Sequence, residues 1–354
     1  VSHIDLSGRT VLITGGRGYL GSVLTRELAN RGCAVRTIDN GLTSSVFVPG
    51  RGVSHIQADV RDVDDWRAAL RGVDAVVHLA AIVGDPACAV DHDLAWETNY
   101  LATVHLAEAC RAEGVGRFVF ASTCSNYGAS SRGPANTGTP LHPQSVYAET
   151  KIHAEHHLLS QRDHGCAPVI LRFATLHGLS PRMRFDLAVN VMTAHAALTG
   201  RLTVHGGEQW RPFLHVRDAA QAVLLAVTGT TPGSRPRIYN CGSDRENYRL
   251  LDVGAIIAKA AGGAAVVVEE GSKDLRDYRV DFSAIHEELG FTASRSVATG
   301  VRELVSAINS GEYHDFTDLR YSDHELVLAS VGARAPGAVV RAKGSWPHLV
   351  FYGG

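Results

Sequence analysis

Tyr147 and Lys151 stand four residues apart in the run Ser145-Val146-Tyr147-Ala148-Glu149-Thr150-Lys151. On a helix such positions share one face, so the ammonium of Lys151 is expected beside the Tyr147 hydroxyl. A neighbouring cation favours the phenolate and lowers a pKa that is about 10 in model peptides. The pair would then accept a proton from an alcohol whose carbon gives up a hydride. A place to hold the hydride acceptor lies far upstream. Gly16-Arg17-Gly18-Tyr19-Leu20-Gly21 fits GxGxxG, and with Gly15 it also fits GxxGxxG. Glycines there allow a tight turn, a close approach of backbone to a pyrophosphate, and close helix–strand contact. The helix that follows offers its N-terminal amides and the positive end of its dipole. Each signal alone is common; in this order they point to oxidation or reduction of a carbinol with a dinucleotide.

Those residues need a scaffold, and the chain spells one out. Apolar runs at Thr10–Thr14, Ala34–Ile38, His55–Ala58, Asp74–Leu79, Arg117–Ser122 and Val169–Phe173 read as strands. Helical periodicity separates them at Gly18–Arg31, Asp62–Leu70 and Thr98–Glu113, and the Tyr147 helix starts after Pro143. This alternation predicts an α/β fold, a Rossmann-type doubly wound parallel sheet. We expect a first domain over residues 1–178 and a smaller α/β substrate-binding lobe over 179–310, with some lobe segments returning to the first domain. The helix candidates Arg217–Val227 and Tyr248–Ala261 are the segments expected to return. A tail over 311–354 has weak periodicity and is expected along the surface.

Composition narrows the partners. With 45% hydrophobic and 20% charged residues and a net charge of −2, the chain is an ordinary globular one with no field to draw in nucleic acid or an anionic membrane. No apolar stretch approaches the ~20 residues of a membrane helix, and the N-terminus shows no signal-peptide pattern. The six cysteines are scattered, mostly in or beside apolar runs, as free thiols of a reducing compartment are. No metal is expected, because the eighteen histidines form no HExxH or similar ligand spacing. The cytoplasm is the expected location.

Asp39 follows Gly21 by eighteen residues, at the end of the second strand. Its carboxylate can accept from an adenosine ribose diol and would repel a 2′-phosphate, so NAD is favoured over NADP. Arg17 pulls weakly the other way. Asn40 adjoins Asp39. Asp59 and Val60, after the third strand, are placed to contact adenine, or else to cap their loop. Leu79, Ala80 and Ala81, after the fourth, leave room for a cofactor against backbone. Asn99 has two readings, an amide ordering the sheet edge or a cofactor contact. With Gly15, Gly18, Tyr19, Leu20 and Gly21, and with Tyr147 and Lys151, these form the expected NAD site.

Taken together, Thr14–Gly21, Asp39-Asn40, His78–Ala81, Asn99, Ala121–Gly128, Tyr147–Lys151, Leu171-Arg172-Phe173 and Arg211–Asp218 resemble the extended short-chain dehydrogenase/reductase family, in its nucleotide-sugar epimerase/dehydratase branch. The resemblance spans roughly residues 8 to 310. It implies NAD use, a nucleotide-diphosphate sugar as substrate, and pairing as a homodimer through helices such as the one bearing Tyr147. It also implies a third catalytic hydroxyl, Thr123, with Ser122 as the fallback. Family dehydratases carry Asp-Glu immediately after this Thr and decarboxylases a Glu in the second place; here Cys124 and Ser125 stand there. Elimination needs an acid and a base, so both reactions lose their equipment. Cys124 reads either as an auxiliary acid or base or as an inert packed thiol. By resemblance, Arg211 and Arg276 would hold the diphosphate, Arg182 and Arg184 would contribute near the lobe entrance, and Asn190 would contribute from the next helix. Thr175 replaces a family Asn, which leaves that contact open.

The expected activity is epimerisation, at a C4 carbinol by family precedent, through transient oxidation to a keto sugar and re-reduction on the other face. A one-way nucleotide-sugar ketoreductase or dehydrogenase would use the same residues. A non-catalytic NAD-sensing protein would tend to lack Tyr147 or Lys151.

Overall fold

The computed structural model describes residues 6–42, 50–129, 133–161, 166–229, 236–271, 274 and 276–333. The first half runs β1 (Thr10–Thr14), α1 (Tyr19–Ala29), β2 (Ala34–Asp39), β3 (Val53–Gln57), α2 (Val63–Trp66), β4 (Ala75–His78), α3 (Asp85–Val90), α4 (His92–Trp96), α5 (Ala102–Ala112), β5 (Arg117–Thr123), α6 (Val146–Ser160) and β6 (Ala167–Phe173). The second half runs β7 (Thr175–His177), α7 (Ala188–Thr199), β8 (Arg201–His205), β9 (Trp210–His215), α8 (Val216–Thr228), β10 (Arg237–Cys241), β11 (Asn247–Arg249), α9 (Leu250–Ala260), β12 (Ala265–Glu269), α10 (Ser283–Leu289), α11 (Val297–Asn309) and α12 (Asp323–Gly332).

The main sheet has seven parallel strands in the order β10-β6-β5-β4-β1-β2-β3. Both faces are covered, which is why its strands are apolar runs rather than alternating ones. Val11 and Ile13 face one core with α1 and α8, while Leu12 between them faces the other with Leu106, Ala109 and Leu158 of α5 and α6. Leu12 is fully buried, so truncating it to Ala would cost about 2–5 kcal/mol. The topological switch lies at β1, whose neighbours β2 and β4 lead in opposite directions. Ligands bind outside the carboxyl ends of strands at such a switch.

The lobe holds a three-stranded sheet, β11-β9-β7, and a parallel pair, β12-β8, around its own core of Val189, Leu202, Val204, Phe213, Ile257 and Val301. One expectation changes here. The helix Val216–Thr228 packs on α1 under the main sheet, but Leu250–Ala260 belongs wholly to the lobe, its Val253 and Ile257 buried in the lobe core. The seventh strand, β10, returns from within the lobe to pair with β6, a segment too short and polar to stand out in sequence. The tail is more than a loose surface strand. Residues 311–333 run along the surface as expected but are anchored there: Tyr313, Leu326 and Val327 are buried, and α12 packs against α3. The rest of the tail, from 334 onward, lies outside the described residues.

Candidate active site

A cavity of about 670 Å³ opens at the carboxyl ends of the strands, lined by Gly15, Gly18, Asp39, Asp59, Ala80, Thr123, Ser125, Tyr147 and Lys151 on one side. Thr175, Arg182, Arg184, Arg211, Arg276 and Tyr278 line the other. The glycine turn is sterically fixed. Gly15 sits at φ 70°, and a Cβ there would lie 2.8 Å from the Ala80 nitrogen. A Cβ on Gly21 would collide with the Gly15 carbonyl oxygen. Gly18 caps α1 with no side-chain bond, leaving the first-turn amides of Tyr19 and Leu20 to a ligand. The Tyr19 side chain turns away from that role: its hydroxyl donates to Gly178 O at 2.5 Å and bolts α1 to the start of the lobe.

Asp39 accepts from Arg17 N at 3.0 Å and from Gly41 N at 2.9 Å. A carboxylate has about four acceptor sites, so two remain for a ribose diol. These features suit NAD: backbone that approaches a diphosphate, amides at a helix start, and an acid at the next strand end. Leu79, Ala80 and Ala81 line the same wall, as do Asn40 and Val60. Asp59 is largely spoken for. Arg61 bonds both of its oxygens, at 2.9 and 3.0 Å, and Asn40 donates to it at 3.2 Å. Burial opposes its charge, but Arg61 prevails and holds the carboxyl below the usual range. Asn99 does not line the cavity. Its amide brackets Ile82, accepting from Ile82 N at 2.8 Å and donating to Ile82 O at 3.0 Å, and so fixes the loop that does.

Ser145 caps α6, accepting from Ala148 N at 3.3 Å, and its hydroxyl donates to Asp85 at 2.6 Å. Tyr147, Lys151 and Glu155 then form one buried stripe at helical spacing. Thr123, at the end of β5, donates to Ser125 Oγ at 3.0 Å, and its hydroxyl lies close enough to the Tyr147 phenol to lower that pKa. Ser125 and Tyr278 line the same cavity. Ser122 points the other way, as strand alternation demands, and donates to Glu155 in a buried network with Asn126 and Arg172. Cys124 is also withdrawn: its thiol donates to Arg172 O at 3.1 Å, and burial pushes its pKa far up. An auxiliary acid or base at Cys124 is therefore set aside, and so is the Ser122 fallback.

The electrostatics of Tyr147 differ from the expectation. Burial drives its pKa well above the ordinary value, Cys88 and Asp85 add to this, and Arg184 and the Thr123 hydroxyl pull it back. Lys151 shares the face, yet its ammonium donates to Ala121 O at 3.0 Å and lies 6.0 Å from the Tyr147 ring centre. Burial lowers Lys151 itself to about 8. A shared helix face brought the two together without aiming the nitrogen at the oxygen. The protein alone keeps this phenol protonated.

All four expected anion-binding arginines are paired with carboxylates. Arg211 meets Asp274 at 2.9 Å. Arg276 meets Asp274 at 2.8 Å and Asp85, across the cavity on α3, at 2.9 Å. Arg184 holds Asp186 and Asp323, each at 2.8 Å, and Arg182 holds Asp323 at 2.6 Å. Arg182 and Arg184 are 3% and 7% exposed, so they are not solvated entrance residues. Arg184 lies at the reacting end, within electrostatic reach of Tyr147. Asn190 is fully buried off the cavity, binding Gly178 N at 3.0 Å and Arg184 O at 2.8 Å, and it braces the loop instead of meeting a ligand. Sequence reasoning missed Arg61, Asp85, Tyr278 and Asp323. Tyr278 stood beside a named arginine, and Asp85 opens a helix with Pro86 behind it; Asp323 carried no local signal.

A dinucleotide turn at the switch point of a parallel sheet, facing a Thr–Tyr–Lys wall, defines an extended short-chain dehydrogenase/reductase. The sequence profile of the NAD dependent epimerase/dehydratase family matches residues 11–242, and the chain belongs to that family. It is similar to UDP-glucose 4-epimerase of Streptomyces lividans, 27% identical over 336 residues, covering 90% of this chain and 99% of the relative. The crystal structure of Thermus thermophilus UDP-glucose 4-epimerase with NAD is 29% identical at a TM-score of 0.74, covering 85% of this chain and 99% of that one. MoeE5 in complex with UDP-glucuronic acid and NAD is 29% identical at a TM-score of 0.75, with the same coverage.

Proposed function

We propose that this protein is an NAD-dependent epimerase of a nucleotide-diphosphate sugar, acting at C4 through a keto sugar held in the cavity. The observation that carries the reading is that Tyr147, Lys151, Thr123 and its hydrogen-bonded partner Ser125 line the same cavity as the glycine turn and Asp39, with no carboxylate at 124 or 125. Bound NAD would supply a reversible hydride acceptor and, when oxidised, positive charge in the cavity. The residues do the rest. Amides of the Gly15–Gly21 turn hold the diphosphate, Asp39 the adenosine ribose, and Lys151 the nicotinamide ribose. Tyr147 takes the hydroxyl proton as the carbon loses hydride, and later returns it as the carbon regains hydride on its other face. Added positive charge near a buried phenol is what brings its pKa into a working range. Thr123 steadies the reacting oxygen. Arg211 and Arg276 hold the distant diphosphate, which lets the sugar turn without leaving.

We propose, too, that it works in the cytoplasm and as a homodimer. The six cysteines are all unpaired, and no described helix is long and apolar enough to cross a membrane. A partly buried cluster of Trp96, Tyr100 and His153, with ring centres 5.0–5.8 Å apart beside α4 and α6, is the face we propose for pairing. The test is incubation of purified protein with UDP-glucose and other nucleotide hexoses without added cofactor. Appearance of the C4 epimer with no net NADH is expected. Accumulating NADH, or product only when NAD(P)H is supplied, would favour a one-way dehydrogenase or ketoreductase instead.

A further inference from the structure

The segment after α11 is built into the sugar end of the cavity. Phe185 N donates to Tyr321 O at 2.9 Å, and the Phe185 ring packs edge-on against Tyr313 and Tyr321, each with ring centres 5.3 Å away. Asp323 N donates to Asp186 at 2.9 Å. The Asp323 carboxylate bridges Arg182 and Arg184, at 2.6 and 2.8 Å. Val327 of α12, 3% exposed, then joins the apolar cluster that contains Ile82, Cys88 and Tyr147. Backbone, aromatic and ionic contacts thus lock the Ser180–Asp186 loop to this segment, and Val327 ties its helix to the Tyr147 side of the cavity. Asp323 and His324 themselves line the cavity.

Charge at this end is balanced. Arg182 and Arg184 face Asp186 and Asp323, and Asp323 alone touches both arginines. Resting on the nucleotide-sugar reading above, we propose that Asp323 is a specificity-determining residue that selects nucleotide hexoses without an acidic group over nucleotide uronates. A uronate carboxylate arriving beside Tyr147 meets arginines already neutralised and a fixed carboxylate in the wall. In a buried site that juxtaposition is repulsive and poorly screened. A sugar hydroxyl in the same place can donate to Asp323 instead.

Asp323→Asn keeps the shape and removes the charge, leaving Arg182 and Arg184 opposed by Asp186 alone. The experiment measures, by calorimetry on the full chain saturated with NAD, the affinities for UDP-glucose and UDP-glucuronate, alongside turnover of each. Wild type is expected to bind UDP-glucose at least about tenfold more tightly, and Asp323→Asn to shift that ratio by about tenfold or more toward UDP-glucuronate. Asp323→Glu is expected to keep the wild-type preference. The acid limb of the pH–rate profile should also move to lower pH in Asp323→Asn, since Arg184, which favours the Tyr147 phenolate, loses one of its two counter-ions. Wild-type preference for the uronate, or equal affinities, overturns the proposal without any variant. An unchanged ratio in Asp323→Asn that still binds NAD overturns it equally. Binding without turnover defeats only the epimerase reading, because the affinity ratio still decides the role of Asp323; binding of neither sugar defeats both.

Discussion

The two ends of the cavity are built by different means. The cofactor end is mostly backbone: a glycine turn, the first amides of α1, and a strand-end acid, drawn from residues 15–39 with loops after β3 and β4. The sugar end is mostly charge. Arg182, Arg184, Arg211 and Arg276 come from three separate stretches of the lobe, and each is already clamped by Asp85, Asp186, Asp274 or Asp323. The difference suits the two tasks. A dinucleotide that stays bound is served by fixed amides that need no rearrangement. A sugar that must enter, turn and leave is served by Arg211 and Arg276, whose counter-ions can be exchanged for a diphosphate, while Arg182 and Arg184 stay paired with Asp323.

Substitutions can break this contrast, beginning where the ends meet. Tyr147→Phe should lower turnover by about 10²–10⁴-fold, the range of a lost general base, while NAD content measured after purification stays that of wild type. Gly15→Ala attacks the cofactor end alone. It combines strain at φ 70° with a Cβ driven against Ala80, so bound NAD should fall by at least about tenfold and thermal stability should drop by about 1–3 kcal/mol. Arg211→Ala attacks the sugar end alone. A lost charged hydrogen bond of about 1.5–3 kcal/mol should raise the KM for nucleotide sugar by about 10–150-fold, with NAD content unchanged. Asp39→Ser, smaller again, should weaken NAD and narrow its preference over NADP by about tenfold in competition binding.

The most modest expectation concerns pH. Lys151 has a folded pKa of about 8 against an ordinary 10.5. Between those values the unfolded chain binds more protons than the folded one, so stability should rise with pH across that window. Thermal melting of the cofactor-free protein at about pH 7 and about pH 9.5, on either side of the folded value, checks the sign, and Lys151→Met should remove that contribution.

Much of the cofactor end was legible because its signals are local. Thr10–Thr14 is a strand to the residue, and the glycines, Asp39 and Ala80 are read from short, contiguous runs. The α6 stripe was legible for the same reason, since helical spacing alone puts Tyr147 and Lys151 on one face. The direction of the Lys151 nitrogen was not, because it depends on the Ala121 carbonyl of a strand 30 residues away. Asn99 and Asn190 looked like ligand contacts because buried amides need partners, and sequence cannot say whether a partner is ligand or loop. Asp323 was invisible for a related reason. Its arginines lie well over a hundred residues upstream, and weak periodicity around it suggested surface.

Tyr147 is the group on which both ends converge, and isotope transfer tests it most directly. UDP-glucose labelled with deuterium at C4 should be inverted by the protein with no added cofactor, and the deuterium should remain on C4 of the product. Label lost to solvent, or appearing only in free NADH, would contradict proton transfer by a single phenol and hydride return within one cavity.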